Sequence, residues 1–247
     1  ASTPMDYRCS MDVHIGCSGY YYRHWQGPWY PEALPASRWF AFYAEHFDTV
    51  EINSSFYRFP TAATARRWLR QAPDGFVYSL KAPRLITHLK RFHDCASLLD
   101  DFYGVLAGLG AHLGCVLFQL PPSLHFSEPM LAQLAGAMRP DFRNVIEFRH
   151  AGWWRPEVFA ALRESRIGFC SVAAPGLPDE LVVTAPDVYL RLHGDPWYAQ
   201  DYSEAELAAW AARLEAADAM RAWVYFNNDH HAFATANAAA LKRLLAA

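Results

Sequence analysis

The stretch TVEINSSFYRFP, residues 49–60, starts as a buried β-strand with two contrasting faces. Val50 and Ile52 are apolar and β-branched, as expected of a strand in the core of a large protein. Glu51 and Asn53 alternate with them, and successive side chains of a strand point to opposite faces. The strand therefore directs a carboxylate and an amide to the face opposite its apolar side chains.

Similar β-rich runs recur along the chain, with helical segments after most of them. The eight predicted strands are residues 13–17, 49–53, 76–81, 115–120, 144–148, 167–172, 188–194 and 222–228. The predicted helices are residues 35–47, 61–72, 94–113, 127–138, 155–165, 203–218 and 231–247. The stretch AAPGLPDELVVTAP after the sixth strand has room for one turn of helix at most, so the sixth helix is expected to be short or missing.

Strands that alternate with helices indicate parallel β-α-β units. Eight such units in 247 residues match the count and size of a (β/α)8 TIM barrel. A doubly wound sheet is expected to carry GxGxxG after its first strand, and GCSGYYYRHW at residues 16–25 has a different glycine spacing. The sequence therefore predicts a single α/β domain, a TIM barrel over residues 13–247, after an N-terminal tail of residues 1–12.

The composition argues against several classes of protein. The net charge of −3 does not fit a chain coated in basic surface for nucleic acid or membrane. No apolar run reaches the roughly 18 residues of a membrane span. The cysteines are odd in number, widely spaced and without a CxxC motif, which predicts reduced thiols and a cytoplasmic location. They are Cys9, Cys17, Cys95, Cys115 and Cys170.

The same alternation in the other strands predicts a polar ring at the carboxyl end of the barrel, where active sites of this fold are built. The alternative is an interior of self-satisfied ion pairs, such as Glu51 with Lys81. Burial of such pairs costs several kcal/mol per ion, which favours a binding site. The predicted inward-facing polar residues are Glu51, Asn53, Lys81, Gln119, Glu147, Arg149, Arg191, His193 and Asn227.

Positive charge dominates this ring and the segment that follows the third strand. The segment KAPRLITHLKRFH, residues 81–93, contains no acidic residue. A cationic mouth on an acidic protein predicts an anionic ligand, namely a phosphate, a carboxylate or a nucleic-acid backbone. The candidate anion-binding residues are Lys81, Arg84, His88, Arg149 and Arg191.

Seven segments resemble, in order, the signature segments of the YecE-like family, a group defined by a domain of unknown function. They are IGCSGYYYRHW, VEINSSFYRFP, SLKAPRLITHLKRF, LFQLPPSLHF, IEFRHAGWW, YLRLHG and VYFNND, between about residue 13 and residue 240. The resemblance implies a single TIM barrel and supplies no reaction. Similarity to endonuclease-IV-like barrels makes nucleic-acid processing an alternative by analogy.

Three residues are candidates for acid–base catalysis. Glu51 and Glu147 resemble the carboxylate pair of glycoside hydrolysis, and His193 is the third candidate. Lys81 is predicted to be an anion anchor, because Glu51 is expected to keep it charged. With a pKa lowered by burial, it would instead be a Schiff-base nucleophile.

The βα loops supply further substrate-binding candidates. Loops after strands seven and eight of a TIM barrel are a frequent phosphate site. The loop GYYYRHWQGPWYP, residues 19–31, is rich in aromatics that either stack on a base or sugar or pack loop against loop. The remaining substrate-binding candidates are Asn53, Tyr57, Gln119, Asn227 and Asn228.

The sequence thus predicts an enzyme for a small anionic substrate. The alternatives are a nucleic-acid-binding or phosphodiester-processing protein and a non-catalytic metabolite binder. No cofactor is predicted. A divalent metal is the less favoured alternative, because the ring contains more Arg, Lys and Asn than His and Asp. Its candidate ligands would be Glu51, Glu147, His193, Asp229, His230 and His231.

Overall fold

The computed structural model describes residues 11–246, so Cys9, most of the predicted tail and Ala247 lie outside the described residues. Eight strands alternate with helices along the chain. The strands are β1 Asp12–Cys17, β2 Thr49–Ile52, β3 Val77–Lys81, β4 Leu113–Gln119, β5 Arg143–Glu147, β6 Gly168–Ala173, β7 Asp187–Leu192 and β8 Arg221–Phe226.

The strands form one parallel sheet in the order β1-β8-β7-β6-β5-β4-β3-β2. A parallel bridge between Ser18 and Glu51 joins the two ends of this sheet. The sheet is therefore a nearly closed barrel, which confirms the predicted TIM-barrel fold.

Helices cover the outside of the barrel. They are α1 Trp39–Ala44, α2 Ser54–Tyr57, α3 Ala62–Gln71, α4 Ala96–Ala107, α5 Glu128–Ala137, α6 Pro156–Glu164, α7 Glu204–Glu215 and α8 Phe233–Leu245. Residues 174–186, which connect β6 to β7, contain no helix. The helix that would follow the sixth strand, predicted to be short or missing, is therefore missing. Within residues 11–246, no helix is both long and apolar enough to span a membrane.

Local sequence sets several helix starts. The side chains of Thr61 and Ser127 accept hydrogen bonds from backbone N–H groups in the first turns of α3 and α5. Ser203 and Glu206 form a reciprocal capping box at the start of α7. Asn53 has helical dihedrals and precedes the single turn of α2, so β2 ends one residue earlier than predicted.

The core has two layers. The larger apolar cluster lies between the sheet and the helices. A smaller cluster fills the barrel interior and consists of Cys115, Leu117, Val145, Cys170, Val172, Tyr189, Trp223 and Tyr225. These residues share the inward-facing parity of Glu51 and Lys81, so the polar ring sits on an apolar base. The four described cysteines are buried and free.

Gly16 allows β1 to approach β2 where the barrel closes. A methyl group at this position would lie 2.2 Å from the Thr49 carbonyl oxygen and 2.8 Å from the Tyr43 hydroxyl. We expect Gly16→Ala to lower the free energy of unfolding by about 1–3 kcal/mol, measured by urea denaturation. Gly104→Ala in α4 is the matched control, because nothing lies within 4 Å of the added methyl. Equal stability of Gly16→Ala and the wild type would contradict this close approach.

Candidate functional site

Arg191 on β7 is the centre of a buried ion-pair network. Its Nη2 donates to Glu51 Oε1 at 2.6 Å, and its Nη1 donates to Glu147 Oε2. Arg191 is 1% exposed, and both carboxylates are fully buried. The structure thus brings together three predicted site residues, and it pairs them with one another.

Glu51 has a full set of hydrogen-bond donors. Besides Arg191, the hydroxyl of Ser18 donates to Oε1, and the hydroxyl of Tyr189 donates to Oε2 at 2.6 Å. Both carboxylate oxygens are therefore occupied. This arrangement suits a group that holds Arg191 in place, and the predicted acid–base role of Glu51 stays a prediction.

Glu147 is held between two arginines. Arg149 Nε donates to Oε1, and Arg191 donates to Oε2. Burial alone would raise the pKa of Glu147, but the guanidinium groups and His193 hold it well below its ordinary value. A carboxylate with so low a pKa is a weak base near neutral pH, so the geometry favours a structural and electrostatic role.

His193 is buried beside the same arginines. Its Nε2 lies 3.1 Å from Arg149 Nη2, and its Nδ1 lies 3.0 Å from the Asn227 amide. Burial and the charge of Arg191 lower the pKa of His193 to about 3, so the ring is neutral. Since guanidinium groups only donate, Nε2 is the accepting nitrogen and the proton lies on Nδ1. The structure places Asn227 Nδ2 at this nitrogen, and a 180° flip of the amide brings its oxygen to the Nδ1 proton.

Lys81, the last residue of β3, is the exception to this pairing. Its Nζ lies 4.2 Å from the centre of the Phe56 ring. Among residues 11–246, Nζ makes no hydrogen bond or ion pair, so the expected Glu51–Lys81 pair does not form. Burial, and then the charge of Arg191, lower the pKa of Lys81 to about 7 despite Glu147 and Glu51. The amine can therefore lose and regain a proton near neutral pH.

The segment after β3 brings His88 towards this amine. Leu85–Leu89 forms a π-helical turn, a feature frequent at functional sites. His88 lies 4.9 Å from the Phe56 ring, and Gln119 Nε2 lies 3.4 Å from His88 Nε2. Burial, then the charges of Lys81 and Arg149, lower the pKa of His88 to about 4. Arg84 is exposed at the start of this turn.

Three predicted site residues lie in other surroundings. Asn53 and Tyr57 line a cleft of about 550 Å³ beside the barrel mouth, together with Tyr20, Tyr21 and Trp68. Asn228 is fully buried and donates to Asn237 Oδ1 at 2.7 Å and to the Gln200 carbonyl at 2.8 Å. Asn228, in the loop after β8, thus connects α8 with the loop after β7.

The aromatic loop 19–31 packs in part against its own residues and its neighbours, and its other predicted use, stacking on a base or sugar, stays a prediction. Trp25 and Tyr30 are fully buried, and Tyr30 stacks on Trp39 with ring centres 4.9 Å apart. Tyr21 is 62% exposed and Tyr57, from α2, is 73% exposed. Both side chains line the cleft. Tyr20, Tyr21 and Tyr22 of this loop thus line the cleft, whereas Trp25, Trp29 and Tyr30 do not.

Four residues of the site are absent from the predicted set of site residues. Ser18 and Tyr189 bind Glu51, Phe56 covers Lys81, and the Trp197 ring lies 4.7 Å from the Arg149 guanidinium. The two-residue alternation of β1 and β7 would have placed Ser18 and Tyr189 inside. Phe56 and Trp197 belong to the aromatic residues of the βα loops, a signal that suggests a ligand face but does not assign them to Lys81 and Arg149.

Metal ligands do not converge in the part of the chain that the structure describes. Within residues 11–246, no group of three or more His, Cys, Asp or Glu side chains is arranged to hold an ion. His230 and His231 contact each other, with ring centres 4.2 Å apart, and His24 Nε2 lies 3.5 Å from an Asp229 carboxylate oxygen.

Comparison with known sequences identifies relatives over nearly the whole chain. A family model described as "Protein of unknown function DUF72" matches residues 14–247. The UPF0759 protein YecE of Escherichia coli K12 is 30% identical over 125 residues, which are 50% of this chain and 44% of that protein. The UPF0759 protein YunF of Bacillus subtilis strain 168 is 27% identical over 138 residues, 53% of this chain and 49% of that protein. The matches thus span about half the length of these curated relatives.

Solved structures of similar fold come from two organisms. A DUF72 family protein of Thermotoga maritima superposes with a TM-score of 0.86 at 28% identity, covering 96% of this chain and 100% of that one. A DUF72 family protein of Enterococcus faecalis gives a TM-score of 0.80 at 20% identity, covering 96% of this chain and 98% of that one. The second likeness concerns the fold alone.

Proposed function

This chain belongs to the DUF72 family of proteins of unknown function, and we propose that it is an enzyme that acts on a small anionic substrate by acid–base chemistry at the barrel mouth. The observation that carries this proposal is Lys81, a partly buried amine that has no ionic partner among residues 11–246 and whose pKa is lowered to about 7. A group with a pKa near the working pH is the most effective proton donor and acceptor.

The charge balance of the site supports an anionic substrate. The two buried carboxylates are matched by Arg191 and Arg149. Protonated Lys81 is then an excess positive charge, and a bound anion would neutralise it. Arg149 is 12% exposed and uses its Nε on Glu147, so part of its guanidinium remains free to hold that anion.

Each residue of the site has a distinct proposed role. Lys81 exchanges the proton, and Arg149 anchors the anionic group. His193 accepts from Arg149 and orients it, and Asn227 fixes the ring of His193. The predicted anchor Arg191 is engaged by Glu51 and Glu147, so its charge acts on Lys81 through space.

Aromatic rings cover two of the cations at the mouth. The 550 Å³ cleft is lined by the β1 and β2 loops, and neither Lys81 nor Arg149 is among its lining residues. Phe56 lies against Lys81, and Trp197 lies against Arg149. A substrate held by Lys81 and Arg149 would therefore meet an aromatic ring at each of these two cations.

Solvent deuterium exchange tests this proposal without knowledge of the full reaction. We expect the protein in D2O to exchange a C–H proton of at least one member of a panel of small keto acids, hydroxy acids and sugar phosphates, followed by proton NMR. Lys81→Met should slow this exchange by a factor of about 100 or more, because a positioned base is lost. Lys90→Met is the matched control and should leave the rate unchanged. Exchange at an equal rate in Lys81→Met, or with no compound of the panel, would count against the proposal.

A nucleic-acid-binding or phosphodiester-processing function is the second candidate, and the exposure of Arg84 and Arg91 favours it. Fluorescence anisotropy of labelled duplex DNA, intact and abasic, across a salt series tests it. A Kd below about 1 µM for the abasic duplex at physiological salt would exceed ordinary non-specific attraction. Tight binding of a small anion without turnover would indicate a non-catalytic metabolite binder.

For all of these functions we propose a reducing, cytoplasmic location, because the four described cysteines are free thiols.

A further inference from the structure

We propose that Lys81 is a covalent nucleophile, and that the substrate is a small aldehyde or ketone that carries a carboxylate or phosphate group. This inference rests on the proposed function, because it uses the same mouth and the same amine. It adds a Schiff base to the reaction and names the substrate class.

The choice of residue type at position 81 is the first support. The chain has 22 lysine and arginine residues, and the three lysines are Lys81, Lys90 and Lys242. The cations that hold the buried carboxylates are arginines. A guanidinium stays charged in proteins, whereas a primary amine can lose its proton and attack a carbonyl. An anion anchor alone would not need a lysine here.

The surroundings of the amine are the second support. Nζ lies over the Phe56 ring, and no carboxylate of the described residues is bonded to it. Glu51 on β2 and Glu147 on β5 are engaged by arginines. The other charged groups that act on Lys81 are Arg191 on β7 and Arg149 after β5, and both oppose the ammonium form. His88 and Arg84 follow β3, and His88 is neutral near pH 7.

The covalent step balances without an additional reactant. The lone pair of neutral Nζ forms a bond to the carbonyl carbon, and the carbonyl π electrons move to oxygen, which takes up a proton. Nitrogen then loses one proton, and the hydroxyl group takes up a second proton and leaves as water as the C=N bond forms. The nitrogen finally releases its remaining proton. Amine and carbonyl thus give imine and one water, with no change in oxidation state. Arg149 would hold the anionic group of the substrate during these steps.

Reductive trapping on the whole protein tests this inference. The protein is incubated near pH 7 with glyoxylate and sodium cyanoborohydride, and modified lysines are identified by peptide mass spectrometry. We expect Lys81 to be alkylated at least about tenfold faster than Lys90 and Lys242, which serve as internal controls. Propionaldehyde, which has no anionic group, should show less preference for Lys81. Arg149→Met should reduce the preference for glyoxylate over propionaldehyde, and Lys81→Arg should abolish labelling at this position.

Acetylation by acetic anhydride distinguishes the Schiff-base proposal from the acid–base proposal. Acetic anhydride reacts with any neutral, accessible amine and carries no anionic group that the site would have to bind. Fast acetylation of Lys81 without trapping of glyoxylate would overturn the Schiff base and leave the acid–base proposal standing. Acetylation of Lys81 no faster than that of Lys90 would overturn both. Equal trapping of glyoxylate and propionaldehyde at Lys81 would overturn the anionic substrate class.

Discussion

Arg191→Met is expected to lower the free energy of unfolding by about 3–5 kcal/mol, because removal of one partner leaves buried charges without compensation. Arg191 binds Glu51 and Glu147 at the same time, and both carboxylates are fully buried. Methionine fills a similar volume, so the loss of packing contributes little. Urea denaturation followed by tryptophan fluorescence measures the change.

The matched control is Arg213→Met. Arg213 pairs with Asp179 at 2.8 Å, but the two side chains are 41% and 62% exposed. Exposed pairs contribute about 0–1 kcal/mol, so this variant should unfold close to the wild type. A similarly small loss in Arg191→Met would show that water reaches Glu51 and Glu147.

Acid should weaken the wild-type network. The pKa of Glu147 is lower in the folded protein than in the unfolded chain. Glu147 therefore contributes stability above its unfolded pKa, and this contribution is lost as the pH falls through the folded value.

The sequence predicts the direction of the site residues because strand geometry fixes it. The two-residue alternation placed Glu51, Lys81, Glu147 and Arg191 on the inner face, as the structure has them. The strand count and the missing sixth helix followed from hydrophobic runs and turn residues. These features are local, so one sequence is enough to predict them.

Partner choice inside the barrel is not local, and the sequence does not predict it. Glu51 lies level with Ser79 of the neighbouring strand, so Lys81 is one layer closer to the mouth. The stagger of the strands brings Glu51 across the barrel to Arg191 and Tyr189. The expected Glu51–Lys81 pair does not form for this reason, and the amine has no hydrogen bond or ion pair within residues 11–246.

The end of β2 is a second feature that patterning does not predict. Asn53 was expected to continue the inward set of Glu51. It adopts helical dihedrals instead and lines the outer cleft with Tyr57. A one-residue difference in strand length thus moves two predicted residues from the mouth to the cleft beside it.

Lys81→Met is expected to raise the free energy of unfolding near pH 7 by about 2–5 kcal/mol, while it ends the proposed chemistry. Burial and Arg191 lower the pKa of Lys81 to about 7 in the folded protein. An unfolded lysine has a pKa of about 10.4, so the unfolded chain binds more protons between these two values. Wild-type stability therefore rises with pH across this window, and the penalty is full below about pH 7.

The difference in free energy of unfolding between variant and wild type isolates the contribution of Lys81, because the contributions of the other titrating groups cancel. The gain in free energy of unfolding from Lys81→Met should be largest at and below about pH 7 and should shrink towards about pH 10, as the cost of burying the wild-type ammonium disappears. Lys90→Met should stay within about 0.5 kcal/mol of the wild type at both pH values. A variant less stable than the wild type at both values would mean that the Lys81 ammonium has a partner. A gain that shrinks with pH would mean that the barrel gives up stability to keep a deprotonatable amine at its mouth.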